Sequence, residues 1–69
     1  MNFGVLLRNL RRKKGIGIKQ LALELGVSYI YLSKIEHNQV RPSRALITRI
    51  ADYFSFDRHV LLFAAVESI

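Results

Sequence analysis

The sequence predicts an all-α fold class with five short helices. Apolar residues recur at the three- and four-residue intervals of an amphipathic helix along most of the chain. Residues that cap or end helices separate these stretches, and no segment alternates polar and apolar residues in the manner of a half-buried strand. The 69 residues are 51% hydrophobic, so we expect residues 1–69 to form one domain with one small core.

The first two predicted helices each have one apolar face and a glycine at the end. Asn2 can cap the first helix and Gly15 can end it, and its apolar face comprises Phe3, Leu6, Leu7 and Leu10. Gly17 precedes the second helix and Gly26 follows it, and its apolar face comprises Ile18, Leu21, Ala22 and Leu25.

The remaining three helices have comparable start signals, but the fifth has no polar face. Ser28 is a favourable N-cap for the third helix, and Val27 and Leu32 are placed to form a hydrophobic staple. Residues 42–43 start the fourth helix, whose apolar positions are Ile47, Ile50, Ala51 and Phe54. Asp57 caps the fifth, residues 57–67, in which residues 60–66 are apolar nearly all round. Because such a helix needs cover on every side, we expect it to be a dimerisation helix in a homodimer.

The charge of the chain is positive and unevenly distributed. The net charge is +6 at pH 7, and residues 1–44 carry nine lysines and arginines against two glutamates. Residues 45–69 carry two arginines against three acidic residues. A basic portion joined to a near-neutral portion is typical of a protein that faces a polyanion such as nucleic acid. A basic surface that serves only solubility is the alternative.

Residues 18–37 have the spacing of a helix-turn-helix, in which two short helices cross closely at a tight turn. Ala22 supplies the small residue that the crossing requires, and Gly26 can adopt the positive φ of the turn. Apolar residues occupy the inward positions on both sides of the turn, namely Leu21, Leu25, Val27, Leu32 and Ile35. This combination in a basic chain favours a DNA-binding motif over two amphipathic helices that meet by chance.

Segments throughout the chain are also typical of one family. They are FGVLLRNLRRKKG (3–15), QLALELGVS (20–28), YLSKIE (31–36), RPS (41–43), ITRIADYF (47–54) and DRHVLL (57–62). Together they resemble the Cro and phage-repressor type of helix-turn-helix transcriptional regulator, the Xre family. The resemblance implies a compact lambda-repressor-like domain of five helices that binds double-stranded DNA through recognition helix 28–36 in the major groove. It further implies transcriptional regulation, with repression as the expected outcome.

The resemblance places the base contacts at the start of the third helix and one turn later. The positions are Tyr29, Ile30, Ser33 and Lys34. Lys34 can donate to guanine, the Tyr29 hydroxyl can donate or accept, and Ile30 can pack on a thymine methyl group. For Ile30 a half-buried or merely exposed position is the alternative. Tyr31 lies on a different face and is assigned mainly to the core.

The resemblance places phosphate contacts at the start of the second helix, after the third helix and at the start of the fourth. The corresponding residues are Lys19, Ser28, His37, Asn38, Arg41, Ser43 and Arg44. For the two arginines, plain solvation is the alternative. Ile18 stands where the family usually has a polar residue, which leaves only a backbone contact there. Asn38 stands where glycine is common, and asparagine tolerates the left-handed conformation.

The resemblance also implies a buried structural ion pair between Arg11 and Glu36, with a solvated Arg11 as the alternative. We expect no enzyme, metal site, cofactor or small-molecule ligand, because cysteine, a Gly-rich phosphate loop and a carboxylate pair on one face are lacking. No stretch approaches the roughly 18 apolar residues of a membrane span, so we expect a cytoplasmic, nucleoid-associated protein of a prokaryote or phage. One alternative function is an antitoxin or adaptor that binds a protein partner through residues 57–67. Another is contact with anionic membranes through basic residues 3–14.

Overall fold

The chain folds as five α-helices joined by short turns. The computed structural model describes residues 2–67, with α1 at Phe3–Lys14, α2 at Ile18–Leu25, α3 at Tyr29–Glu36, α4 at Arg44–Phe54 and α5 at Arg58–Glu67. No strand occurs within residues 2–67, so the predicted all-α fold class is confirmed. The first residue and the last two residues of the domain predicted over 1–69 lie outside the described residues.

The helices begin at the capping residues that the sequence indicates. The Asn2 side chain accepts the Val5 N–H at 2.9 Å, and the Ser28 hydroxyl accepts the Ile30 N–H at 3.1 Å. The fourth helix begins at Arg44, one residue after the predicted start, because Ser43 is its N-cap and accepts the Leu46 N–H at 3.1 Å. The Asp57 side chain, just before α5, accepts the His59 N–H in the first turn of that helix at 2.8 Å.

All five helices contribute to one hydrophobic core. α1 packs against α3 and α5, α2 packs against α3 and α4, and α4 packs against α5. The largest fully buried side chains are Phe3, Leu7, Leu21, Leu32, Ile35, Leu46, Ile50 and Leu61. Tyr31 is half-buried and packs on this core, as expected. The predicted apolar faces of α1, α2 and α4 therefore point inward, with Leu6, Leu10, Ile18 and Phe54 at the partly buried margin.

The fifth helix is apolar on both its inner and its outer side. Leu61, Ala64 and Ala65 are buried against the rest of the chain. Val60, Phe63 and Val66, which we name the α5 stripe, are 47%, 66% and 71% exposed. No helix in residues 2–67 has both the length and the apolar character needed to cross a bilayer. The α5 stripe is thus an apolar face that the described chain leaves in contact with solvent.

Candidate nucleic-acid interface

Gly26 forms the turn between α2 and α3, and a hydrogen bond from Arg49 of α4 stabilises it. Gly26 adopts φ 72°, and the N–H of Val27 returns to the Ala22 carbonyl at 3.0 Å. Arg49 donates from Nη1 to the Leu25 carbonyl at 2.6 Å, which satisfies a free carbonyl at the end of α2. Sequence reasoning missed Arg49, because this contact joins residues 24 positions apart and leaves no local pattern.

The start of α3 presents its side chains to solvent. Tyr29 is 45% exposed and Ile30 is 56% exposed. Lys34, one turn further on, is also exposed, whereas Ser33 is half-buried. The Ser28 hydroxyl caps the helix through the Ile30 and Tyr31 N–H groups, so its oxygen is occupied while its proton can be donated outward. The structure thus brings the four residues predicted to contact bases onto one helix, with three of them openly accessible.

Lys19 lies beside the first of these residues. Its Nζ stands 4.9 Å from the centroid of the Tyr29 ring, a cation–π contact between the first turn of α2 and the first residue of α3. An open groove next to this pair is lined by Leu23, Val27 and Ser28. A residue predicted to contact phosphate therefore adjoins a residue predicted to contact bases, which the sequence did not indicate.

The carboxyl end of α3 is anchored by the ion pair that the resemblance implies. Arg11 donates to the two carboxylate oxygens of Glu36 at 2.7 and 3.0 Å, and to the Ile16 carbonyl at 3.1 Å. Arg8 adds a longer contact, with Nε 3.6 Å from Glu36 Oε1. The Glu36 side chain is only 2% exposed. Its hydrogen bond raises the pKa of Arg11, so the guanidinium stays charged and α3 is tied to α1.

The residues after α3 turn back toward the start of α1. Asn38 has φ 57°, the left-handed conformation expected for it. Its Oδ1 accepts the Gly4 N–H at 3.0 Å, and its Nδ2 donates to Asn2 Oδ1 at 3.0 Å. The second Nδ2 proton of Asn38 takes no part in these two hydrogen bonds. The His37 ring lies 2.8 Å from the Ser33 carbonyl through Nδ1, which leaves Nε2 outward.

Gly4 marks a close approach between α1 and the end of α3. A Cβ atom at this position would overlap the carbonyl group of Glu36 and lie 2.9 Å from Asn38 Nδ2. Only a residue without a side chain fits, so the backbone of α1 can lie directly against the last turn of α3. Sequence reasoning missed this requirement, because a single glycine near a helix start is unremarkable without its distant neighbour.

The third group of predicted phosphate contacts lies around the start of α4. Arg41, Ser43 and Arg44 are exposed, and the two arginines line one open groove together with the half-buried Pro42. The Ser43 hydroxyl is the N-cap, and the first N–H groups of α4 are therefore at the same surface. Within residues 2–67 no group of three or more His, Cys, Asp or Glu side chains could hold a metal ion.

The sequence matches the helix-turn-helix domain family over residues 2–62. The chain belongs to this family. A relative from Bacillus phage phi105, the ImmF control region 10 kDa protein, is 32% identical over 66 residues, covering 96% of this chain and 73% of the relative. The HTH-type transcriptional regulator SlrR of Bacillus subtilis (strain 168) is 43% identical over 49 residues, covering 70% of this chain.

These comparisons agree with the Cro and phage-repressor (Xre) type that the sequence motifs resemble. The match covers only 32% of the length of SlrR. No solved structure gives a significant match to the chain. Membership of the helix-turn-helix family supports binding to double-stranded DNA.

Proposed function

We propose that residues 1–69 form a single DNA-binding domain that recognises a specific sequence in double-stranded DNA and regulates transcription. In this proposal helix-turn-helix 18–37 binds the duplex, and α3 enters the major groove. The observation that carries the proposal is that Arg11 ties the end of α3 to α1 and Arg49 holds the turn before it, while Tyr29, Ile30 and Lys34 remain exposed. A rigid helix with free side chains is what groove reading requires.

The exposed side chains of α3 match the chemistry of base edges. The Lys34 ammonium can donate to guanine O6 and N7, and the Tyr29 hydroxyl can donate or accept. Ile30 has no polar atom in its side chain, so the group it can recognise is the thymine methyl. Ser33 is half-buried and can add a hydroxyl contact at the margin. The domain is therefore expected to distinguish base pairs at a few positions per copy.

Phosphate contacts would supply much of the affinity. Lys19 stands at the start of α2, Ser28 caps α3, and Arg41, Ser43 and Arg44 surround the start of α4. Helix starts attract phosphates through free N–H groups, and cations beside them reinforce that attraction. His37 and Asn38, after α3, complete the predicted set. With a net charge of +6, binding should weaken steeply as salt is added.

The regulatory part of the proposal draws on the names of the relatives. One is named as a phage control-region protein and the other as a transcriptional regulator. Repression follows if the bound sequence overlaps a promoter. We further propose that the domain acts as a homodimer through α5, which would place two recognition helices about 34 Å, one DNA turn, apart on a palindromic site.

The test begins with selection from a randomised duplex library, followed by binding titrations at several salt concentrations. Lys34→Ala should cost about 1–3 kcal/mol and relax base preference at one position. Arg41→Ala should weaken binding to all DNA sequences alike. It should also lower the steepness with which the logarithm of the binding constant falls with the logarithm of salt concentration by about one. Lys13→Ala, which removes an exposed charge from the end of α1, is the matched control and should leave base preference unchanged. Equal losses on selected and random DNA for Lys34→Ala and Arg41→Ala would contradict the proposed roles.

A second candidate function is an antitoxin-like or adaptor module, and the exposed α5 stripe favours it. In that case the purified chain would show no preference for any selected duplex, and the stripe would bind another protein. Library selection separates the two functions, because an interaction module enriches no sequence above the random pool.

A further inference from the structure

A cation–π contact joins the starts of the two helices that form the helix-turn-helix. Lys19 Nζ, in the first turn of α2, stands 4.9 Å from the centroid of the Tyr29 ring, in the first turn of α3. The tight turn at Gly26 brings the two helix starts together, although the residues are ten positions apart. The contact therefore links a residue predicted to contact phosphate with a residue predicted to contact bases.

The Tyr29 ring is an exposed side chain at the edge of an apolar groove. It is 45% exposed, and Ala22, Leu23 and Val27 line the groove beside it. An exposed tyrosine can occupy several staggered rotamers, and each of them points the hydroxyl in a different direction. The contact with Lys19 favours the rotamer in which the face of the ring meets the ammonium. It thus restricts where the Tyr29 hydroxyl points.

The Lys19 ammonium can contact the ring and a phosphate at the same time. Lysine has three N–H donors on a flexible stem, so one side of Nζ can face the ring while another faces a phosphate oxygen. Lys19 is exposed, and both partners can reach it. The acidic residue of α2, Glu24, accepts a hydrogen bond from Gln20 at 3.2 Å. It lies five positions after Lys19 and therefore on a different side of the helix.

We propose that Lys19 is a positioning residue for base recognition, because it holds the ring of Tyr29 and so determines how strictly the domain selects the base pair that Tyr29 contacts. The inference rests on the proposed function and deepens it, since it gives a residue predicted to contact phosphate a part in specificity. A ring that is already held loses less rotamer freedom on binding. This gain is realised only on a duplex where the hydroxyl meets a matching base edge. On random DNA Lys19 acts through the phosphate alone.

Binding titrations of Lys19→Met on the selected duplex and on random DNA test this role. Methionine keeps an unbranched apolar stem and removes the ammonium. Both affinities should fall, because the phosphate contact is lost. The affinity for the selected duplex should fall by a further factor of about two to five, which is the equilibrium equivalent of an exposed cation–π contact. With duplexes substituted at one base pair at a time, this added loss should be confined to the position at which Tyr29→Leu relaxes base preference.

Lys14→Met is the matched control. Lys14 Nζ stands 4.4 Å over the Tyr53 ring, so the same substitution removes a contact of the same kind between α1 and α4, away from the start of α3. It should leave the ratio of the affinities for selected and random DNA unchanged. Lys19→Arg should keep this ratio near that of the wild type, since a guanidinium also stacks on aromatic rings. Rescue by arginine separates the role of the cation from a change in the structure of α2.

A double-mutant cycle shows whether Lys19 acts through Tyr29. In the Tyr29→Leu background, which lacks the ring, Lys19→Met should lower the affinities for selected and random DNA by the same factor. A further loss on the selected duplex in that background would mean that Lys19 contacts a base itself, and the inference would be wrong. Equal losses on the two kinds of DNA for Lys19→Met in the wild-type background would also overturn it.

Nuclear magnetic resonance of the unbound chain tests the contact without DNA. The ring current of Tyr29 should shift the signals of the Lys19 Cε protons upfield, and Tyr29→Leu should abolish this shift. A wild-type chain without the shift contradicts the inference, whatever the binding titrations show.

The outcomes separate this inference from the proposed function. If the wild-type chain enriches a specific duplex and Lys19→Met weakens binding to all sequences alike, only the role of Lys19 is contradicted. If the chain enriches no duplex, DNA recognition itself is contradicted. The role of Lys19 in base recognition then falls with it, even where the ring-current shift is present.

Discussion

Replacing Arg11 by methionine should remove a large part of the stability of this fold. The substitution keeps an unbranched apolar stem and deletes the guanidinium that bonds both oxygens of Glu36, at 2.7 and 3.0 Å. The Glu36 side chain is 2% exposed and cannot recover those bonds from water. Arg8 remains as the nearest cation, 3.6 Å away and 32% exposed. The result is a buried carboxylate with one weak partner.

The magnitude follows from this geometry. Removing one member of a buried ion pair costs about 3–5 kcal/mol, and residual pairing with Arg8 should reduce the loss to about 2–4 kcal/mol. At about 0.05–0.15 kcal/mol per residue, a chain of this length has about 3–10 kcal/mol of total stability. Arg11→Met is therefore expected to leave a marginally folded protein.

Urea denaturation followed by far-ultraviolet circular dichroism measures this loss. Arg11→Met combined with Glu36→Leu should recover most of the stability, because an apolar pair leaves no buried charge. Glu36→Gln alone should cost less than Arg11→Met, since the freed Arg11 side chain is 15% exposed and keeps its bond to Ile16. A loss below about 0.5 kcal/mol for Arg11→Met, the usual range of surface substitutions, would contradict a buried ion pair at this position. A double variant no more stable than Arg11→Met would contradict it as well.

The pH dependence of the pair has a definite sign. The hydrogen bond to Glu36 raises the pKa of Arg11. A raised pKa on a basic group contributes stability that is complete below the unfolded pKa and is lost only as the pH rises through the folded value. Both values lie in strongly alkaline solution, so the titration of Arg11 should contribute no change to the free-energy difference between wild type and Arg11→Met between about pH 7 and pH 10.

Three further substitutions test the contacts around the helix-turn-helix by the same urea measurement. Gly4→Ala should cost about 1–3 kcal/mol through overlap with the Glu36 carbonyl, although alanine favours helices, and a neutral result would contradict the close approach. Asn38→Gly should cost about 1–2 kcal/mol for two hydrogen bonds, and Asn38→Ala should cost about 1 kcal/mol more because φ stays positive. Equal losses of stability for Asn38→Gly and Asn38→Ala would show that the positive φ at this position carries no energetic cost for alanine. Arg49→Met should cost about 1 kcal/mol by removing the bond to the Leu25 carbonyl, and it should weaken binding to selected DNA more than to random DNA. An unchanged ratio of the affinities for selected and random DNA would mean that the turn keeps its conformation without the Arg49 hydrogen bond.

Local patterns predicted the elements of the fold because helix boundaries depend on neighbouring residues. Asn2, Ser28 and Ser43 each accept N–H groups two or three positions ahead, so short stretches of sequence contain the whole interaction. Gly26 likewise adopts the positive φ that its position requires. The burial of Leu21, Ala22, Leu25, Leu32 and Ile35 follows from helical spacing alone. The all-α fold was therefore predictable from residues close in sequence.

The contacts that orient α3 were less accessible to sequence reasoning, because they join distant residues. Arg11 and Glu36 are 25 positions apart, and only the family resemblance pointed to their ion pair. Gly4 and Asn38 are 34 positions apart, and no periodicity relates them. Asn38 illustrates the consequence. The sequence predicted its left-handed conformation correctly and placed it among the phosphate contacts, but no local pattern indicated that its amide also bonds to Asn2 and Gly4. Local chemistry thus specifies which side chains α3 exposes, whereas long-range contacts specify how firmly the helix is held while it does so.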